Sequence, residues 1–224
     1  MNNKKLVYGW WLPEEDKHFE AYFAKFPLEV DGRRIYQRKH LDRSFHHIKN
    51  NPFIGQRTAI DIGGHCGFWS YYLGGNFKKV YAFEPVSIFS ECFKKNVPFK
   101  NVELIPVALG NENKFISMDI DLKNTGMTHV SNQLDEKNKV ELKKIDDYEF
   151  TDVDFIKIDV EGFENQVVLG AKNTLIENKP IIIIEQKGHS EYFNEKLFQA
   201  IETLNSYGAK VIEQVNKDYI MSWY

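Results

Sequence analysis

The chain has 224 residues and a formal net charge of -3, from 29 Lys plus Arg against 32 Asp plus Glu. With 42% apolar and 27% charged residues it reads as a soluble globular protein, and collagen-like, mucin-like and wholly disordered readings are excluded. The near-neutral balance argues against a protein that coats nucleic acid, although it leaves room for a local basic patch. The longest strongly apolar run, Ile181 to Ile184, is far too short for a membrane span. Met1 to Trp11 lacks the length and the small-residue end of a signal peptide. The two cysteines, Cys66 and Cys92, make neither a disulfide framework nor a zinc site. They read as free thiols of a reducing compartment, so a cytoplasmic protein is expected.

Residues 1–57 read as an N-terminal cap on a domain of residues 58–224. The cap is rich in Trp, Phe, Lys, Arg and His. Its patterns predict a helix over Glu14 to Phe26, an extended hairpin over Leu28 to Tyr36 turning at Asp31-Gly32, and a helix over about Leu41 to Asn50. Trp10 and Trp11 are expected to pack the cap on the core, or else to offer a stacking platform. Arg33, Arg34, Arg38, Lys39, His40 and Arg43 form either a solvated, salt-bridged face or a site for an acidic substrate.

From Thr58 strands and helices alternate. Strands are predicted at Thr58–Ile62, Val80–Phe83, Val102–Val107, Asp154–Asp159 and Pro180–Glu185, the last apolar enough to be central. Helices are predicted at Phe68–Leu73, Phe163–Leu169 and Glu191–Ser206, with another capped by Ser87 and running to about Asn96. Lys114–Asp119 and Val140–Leu142 read as extra strands around a polar loop, in which Asn124–His129 with Gly126 is a candidate lid. Val211–Val215 and Tyr219–Trp223 read as a closing antiparallel hairpin. This order implies a mostly parallel sheet covered on both faces, with a ligand beyond the C-terminal strand ends.

Three places carry chemistry. In Asp61-Ile-Gly63-Gly64-His65-Cys66-Gly67, glycines turn the chain from strand to helix and allow close backbone approach, and the helix start offers free N–H groups to an anion. The dinucleotide pattern Gly-x-Gly-x-x-Gly is absent, which disfavours a nicotinamide-dependent oxidoreductase. Asp61 would repel a pyrophosphate but welcome an ammonium or sulfonium, and S-adenosylmethionine (SAM) carries both. Glu84, 23 residues after Asp61 and followed by the turn-fixing Pro85, stands where an acidic residue accepts ribose hydroxyls, about 20 residues on. In Lys157-Ile-Asp159-Val-Glu161, alternate residues share one side of the chain and bring three ionisable groups to a strand end. A carboxylate there is able to take the proton of an attacking hydroxyl. Asp159 and Glu161 are the first candidates for that base, then Glu185 and His189. Mg2+ is an open alternative if Asp159, Glu161, Glu164 and Glu185 converge, but no dedicated metal spacing is present, so no metal is assigned.

These motifs, in order, resemble the FkbM family of SAM-dependent methyltransferases: Ala59-Ile-Asp-Ile-Gly-Gly-His-Cys-Gly67, Val80-Tyr-Ala-Phe-Glu-Pro85, Asn101-Val-Glu-Leu-Ile-Pro-Val-Ala-Leu-Gly110, Asp154-Phe-Ile-Lys-Ile-Asp-Val-Glu-Gly-Phe-Glu164 and Pro180-Ile-Ile-Ile-Ile-Glu185. The match covers about Thr58 to Lys187; Gly64 departs from an expected Ala. The resemblance implies an α/β, class I Rossmann-like methyltransferase sandwich, whose mostly parallel seven-stranded sheet ends in an antiparallel strand. It implies that Asp61, Gly63, Gly64, His65 and Gly67 hold the methionine end of SAM. It places Glu84 and Pro85 at the ribose, Ala108 and Leu109 near the adenine, and Asp159 against the cofactor. The family is associated with O-methylation of sugars and polyketide-like products, so a hydroxyl on a small-molecule or glycan acceptor is expected. No nucleic-acid partner is expected, and a homodimer is allowed. A non-catalytic SAM- or nucleoside-binding module and a protein or nucleic-acid methyltransferase are the competing readings.

Overall fold

A computed structural model describes residues 3–29, 31–187, 189–193 and 195–224. The chain opens with a two-stranded hairpin, β1 (Lys4–Val7) and β2 (Trp10–Pro13), turned by Tyr8 and Gly9, both at positive φ. Helices α1 (His18–Phe23) and α2 (Arg38–Asn50) follow. Then come β3 (Thr58–Ile62), α3 (Phe68–Gly74), β4 (Lys79–Phe83), α4 (Ser87–Asn96) and β5 (Val102–Ile105). Four further strands, β6 (Ala108–Leu109), β7 (Lys114–Asp119), β8 (His129–Ser131) and β9 (Lys139–Lys143), form a separate sheet in the order β6-β9-β7-β8. The chain continues with β10 (Val153–Ile158), α5 (Glu164–Gly170), α6 (Lys172–Asn178), β11 (Ile181–Glu185), α7 (Gln199–Ser206), β12 (Lys210–Val215) and β13 (Asp218–Ser222).

The main sheet has seven strands in the order β12-β13-β11-β10-β3-β4-β5. The neighbours from β11 to β5 run parallel, and β13 is antiparallel to both strands beside it. This is the mostly parallel sheet with an antiparallel last strand that the sequence predicts. Its near-continuous apolar strands are buried on both faces. Ile60, Ile62, Ile156, Ile158, Ile182 and Ile184 point to the layer that holds Val167, Leu175 and Leu204. Their neighbours Ala59, Phe155, Ile181 and Ile183 point the other way, onto Leu41, Ile48, Trp69 and Leu73. A third cluster joins Trp10, Leu12, Phe19 and Phe23 to Phe68, Phe89, Met118 and Phe163.

Several expectations are corrected. The first helix covers six residues rather than Glu14–Phe26, because Pro13 belongs to β2 and Asp16 Oδ1 accepts the Phe19 N–H at 2.8 Å, which starts the helix late. Around Asp31-Gly32 a turn forms, with Glu29 N–H donating to Arg33 at 2.7 Å, but no strand ladder extends from it among the described residues. Ser87 is the first helical residue, not the cap. The third strand stops at Ile105 rather than Val107. The helix expected from Glu191 begins at Gln199, and a 3-10 turn occupies His189–Phe193. β11 is interior, but β10 is the middle strand. The N-terminal basic residues are dispersed. Arg33 lies over Trp10 and Tyr71, Arg38 pairs with Glu29 and Asp42, His40 with Asp218 and Arg43 with Glu213. Trp10 is fully buried, as the cap-packing reading requires.

Candidate active site

The C-terminal ends of β3, β4 and β10 open into a cleft of about 870 Å3, the open solvent at its mouth included. Its floor is made by Gly63, His65, Glu84, Pro85 and the Val107-Ala108-Leu109 turn, with Lys157, Asp159 and Glu161 beyond them. Its roof is made by Phe19, Tyr36, Phe68, Met118, Val130 and the Thr125–Thr128 loop.

The glycine loop has the shape its sequence demands. Gly63 sits at φ 78 and Gly67 at φ 88, the left-handed region open to glycine. A Cβ on Gly63 would lie 1.9 Å from the Asp159 carbonyl oxygen, so only glycine lets the β3 and β10 ends converge. Gly63 and Gly64 N–H both donate to Phe83 O, at 3.1 and 2.9 Å. Glu84 closes the same corner: its carboxylate accepts His65 N–H at 2.9 Å and Val86 N–H at 2.7 Å. Burial pushes Glu84 up to about 7. Each of its oxygens keeps a lone pair for a ligand.

The His65 ring lies tilted against three others, 4.4 Å from Phe89, 5.0 Å from Phe19 and 5.5 Å from Phe68 between centroids. Both ring nitrogens are buried without a partner. Burial holds the ring neutral, at about 3.

Asp61, Gly64 and Gly67 do not line the cleft. Asp61 is wholly buried beneath it. One of its oxygens accepts Ser70 Oγ–H at 2.6 Å, and the other is 3.6 Å from Lys157 Nζ. Lys157 also reaches Asp159 at 3.5 Å and donates to Gly63 O at 3.2 Å. Burial opposes its charge, but Asp159 and Asp61 hold its pKa above the ordinary value. Burial likewise opposes ionisation of Asp159, yet Lys157 and Lys187 keep it below the usual range.

Glu161 lines the cleft at φ 51, a strained position for a side chain. Its two oxygens meet His189 Nδ1 at 2.9 Å and Lys187 Nζ at 3.5 Å. Burial, then the adjacent Asp159, raise its pKa. Glu185 and His189 stand behind Glu161 rather than on the cleft wall. Lys187 pairs with Glu185 as well. Asp159, Glu161 and Glu185 each bring an oxygen within 4.8 Å of the others. The Lys187 ammonium already bonds two of them, so the trio reads as an ion-pair network. Glu164 secures this turn by accepting Val160 and Gly162 N–H at 3.2 and 3.1 Å. Burial raises it to about 7.

Of the sequence-predicted residues, the cleft therefore gathers Gly63, His65, Glu84, Pro85, Ala108, Leu109, Asp159 and Glu161. Lys187 and the aromatic roof were not singled out from the sequence. They come from segments far apart in the chain, and no local pattern marks them. The candidate lid does reach the cleft, but it is fastened. Thr125 Oγ–H and N–H both donate to Asp16 Oδ2, at 2.5 and 3.3 Å.

The strand order, with a cleft at the switch of winding and an acidic residue at the second strand end, defines a class I methyltransferase fold. The chain belongs to the methyltransferase FkbM domain family, whose model matches residues 61–211. It is similar to the crystal structure of methyltransferase FkbM from Methylobacillus flagellatus KT, with a TM-score of 0.51 and 17% identity. That match covers 75% of this chain but only 43% of the other. Weaker likenesses are a precorrin-6y C5,15-methyltransferase from Geobacter metallireducens GS-15 (TM-score 0.48, 13% identity, covering 88% of this chain and 97% of that one) and a putative RNA methyltransferase from Pyrococcus horikoshii (0.48, 12%, 90% and 95%). No curated protein sequence matches the chain. No helix among the described residues is long and apolar enough to cross a membrane.

Proposed function

We propose that this protein transfers the methyl group of SAM to a hydroxyl of a sugar or other small-molecule acceptor. The observation that carries the reading is one cleft in which Glu84 and the Val107–Leu109 turn face two carboxylates at the end of β10. The residues fit SAM. Glu84 has free lone pairs for ribose hydroxyls, and the buried ring nitrogens of His65 lack partners. When bound, SAM supplies a methyl carbon made electrophilic by its sulfonium.

The chain's own contribution is placement. Lys157 fixes Asp159, Glu164 fixes the turn that carries Glu161, and the roof of Phe19, Tyr36 and Phe68 keeps water from the reacting atoms. Holding a hydroxyl against the methyl carbon supplies most of the rate, and a carboxylate takes its proton. Among the described residues the cleft wall offers an acceptor no free cation, since Lys157 is engaged by Asp61, Asp159 and Gly63; an uncharged acceptor fits better than a phosphorylated one. The buried thiols Cys66 and Cys92 accord with a reducing, cytoplasmic setting.

Calorimetric titration with SAM and S-adenosylhomocysteine, on the protein and on Glu84→Ala, tests the cofactor half. Binding that collapses in the variant is expected; a folded protein that binds neither sinks the reading. Transfer of labelled methyl to sugars, glycolipids and small alcohols tests the acceptor half. Transfer to RNA or protein but to no small hydroxyl overturns it.

A further inference from the structure

Resting on the methyl-transfer reading, we propose that Glu161 is the base that takes the acceptor proton and that His189 carries it to solvent. Four geometric observations converge on this pair. Of the two side chains only Glu161 faces the cleft, and its oxygen meets His189 Nδ1 at 2.9 Å. Glu161 holds a left-handed backbone, at φ 51, that only surrounding structure sustains. Gly162, at φ 103, lets the His189 backbone pack where a Cβ would lie 2.6 Å from its carbonyl oxygen. The imidazole is 23% exposed whereas Glu161 is 12% exposed, so the pair spans from cleft to water.

The step balances as follows. The acceptor oxygen bonds to the methyl carbon as the carbon–sulfur bond breaks, its electron pair going to sulfur. The hydroxyl proton passes to the Glu161 carboxylate. In the resting pair the ionised Glu161 accepts Nδ1–H of the neutral ring. Once Glu161 is protonated, the ring exchanges with water to its Nε2–H tautomer, Nδ1 takes the Glu161 proton, and the imidazolium so formed loses its Nε2 proton to water. Asp159 suits the task less well. It is engaged by Lys157 at 3.5 Å and held as a weak base, whereas burial and Asp159 itself make Glu161 the stronger one. Burial, then Lys187, keep the His189 ring neutral and ready to accept. The charged and titratable groups facing Glu161 are Asp159, Lys187, Glu164, Glu185 and His189. Those facing His189 are Lys187, His129, Lys217 and Glu161.

The first test needs no acceptor. In protein loaded with S-adenosylhomocysteine, long-range 1H–15N spectra report the tautomer and titration of the His189 ring, assigned by its loss in His189→Asn. A tautomer and midpoint that change in Glu161→Gln are expected; a ring that titrates identically in that variant overturns the pair. With an acceptor, Glu161→Gln is expected to lower kcat on the order of 100-fold or more. His189→Asn is expected to lower kcat with KM unchanged, to move the alkaline-rising limb of the pH profile, and to recover with added imidazole. Full turnover in Glu161→Gln, or a His189→Asn loss that imidazole never restores, counts against the proposal. Failure of S-adenosylhomocysteine to bind the parent protein would instead break the methyl-transfer reading on which it rests.

Discussion

The two walls of the cleft are built on different physics. The floor is sheet: strand ends of β3, β4 and β10 carry glycine and paired charge, with Lys157, Asp159 and Glu161 each engaged by a neighbour. The roof is assembled from Phe68 and parts of segments 16–36 and 118–130, and it is largely aromatic and aliphatic. One buried carboxylate, Asp16, ties the latter two segments together. Rigid sheet ends hold reacting groups in fixed geometry, while inserted segments are free to be reshaped around different ligands. Under the proposed reading, the floor holds the cofactor and the reacting groups and the roof selects the acceptor.

The sharpest way to break the floor is Lys157→Met. Lys157 is 5% exposed and shares its charge between Asp61 and Asp159. Removing it leaves two buried carboxylates facing each other, and breaking such a buried pair costs about 3–5 kcal/mol. Urea unfolding is expected to show a loss of that order together with lost S-adenosylhomocysteine binding. A loss below about 1 kcal/mol, typical of a surface pair, would mean the floor is not held by this charge. Phe19→Ala tests the roof. The ring is 4% exposed and touches the His65 and Phe68 rings, so about 3 kcal/mol of stability should go. S-adenosylhomocysteine affinity should stay while the acceptor KM rises. The reverse pattern would exchange the two walls' roles.

The floor also has a pH signature. Burial raises Glu164 to about 7 from an ordinary value near 4.5. The native state therefore holds a proton that the unfolded state has lost between those values. Its contribution is full below the unfolded value and is lost as pH rises through about 7. Glu164→Gln keeps an uncharged group there, so the stability of the parent should fall relative to this variant between pH 5 and 8. A difference that stays constant across that range would show that Glu164 ionises normally.

The floor was legible because its constraints are local. A strand, a tight turn and a helix start within one stretch demand glycines at fixed offsets, so Gly63, Glu84 and Asp159 could be placed from spacing alone. That locality says nothing of depth. The type of Asp61 suits a cationic ligand, but its side chain is wholly buried against Ser70 and Lys157, and no spacing rule reports that. The roof was hardly legible. Phe19, Phe68 and Met118 meet only after three distant segments pack, and in sequence each reads as an ordinary core residue. The helix read over Glu14–Phe26 failed for a related reason: the apolar period continues through residues whose ends are fixed by Pro13 and Asp16.

The mildest perturbation separates the walls most cleanly. Thr125→Val removes the hydroxyl that bonds to Asp16 and keeps the side-chain shape. The N–H of residue 125 remains to hold Asp16 Oδ2 at 3.3 Å, and the Phe19 N–H still holds Oδ1. Because the carboxylate keeps partners, the cost should be that of one hydrogen bond to a charged group, about 1.5 kcal/mol, and not that of an orphaned charge. The loop over Gly126 should loosen against Phe19, from which a Cβ at that glycine would stand 3.6 Å. If the loop governs access, the acceptor KM and amide exchange at residues 124–128 should rise together, with S-adenosylhomocysteine affinity unmoved. Faster exchange with an unchanged KM would leave the roof as a wall that shapes the cleft without gating it.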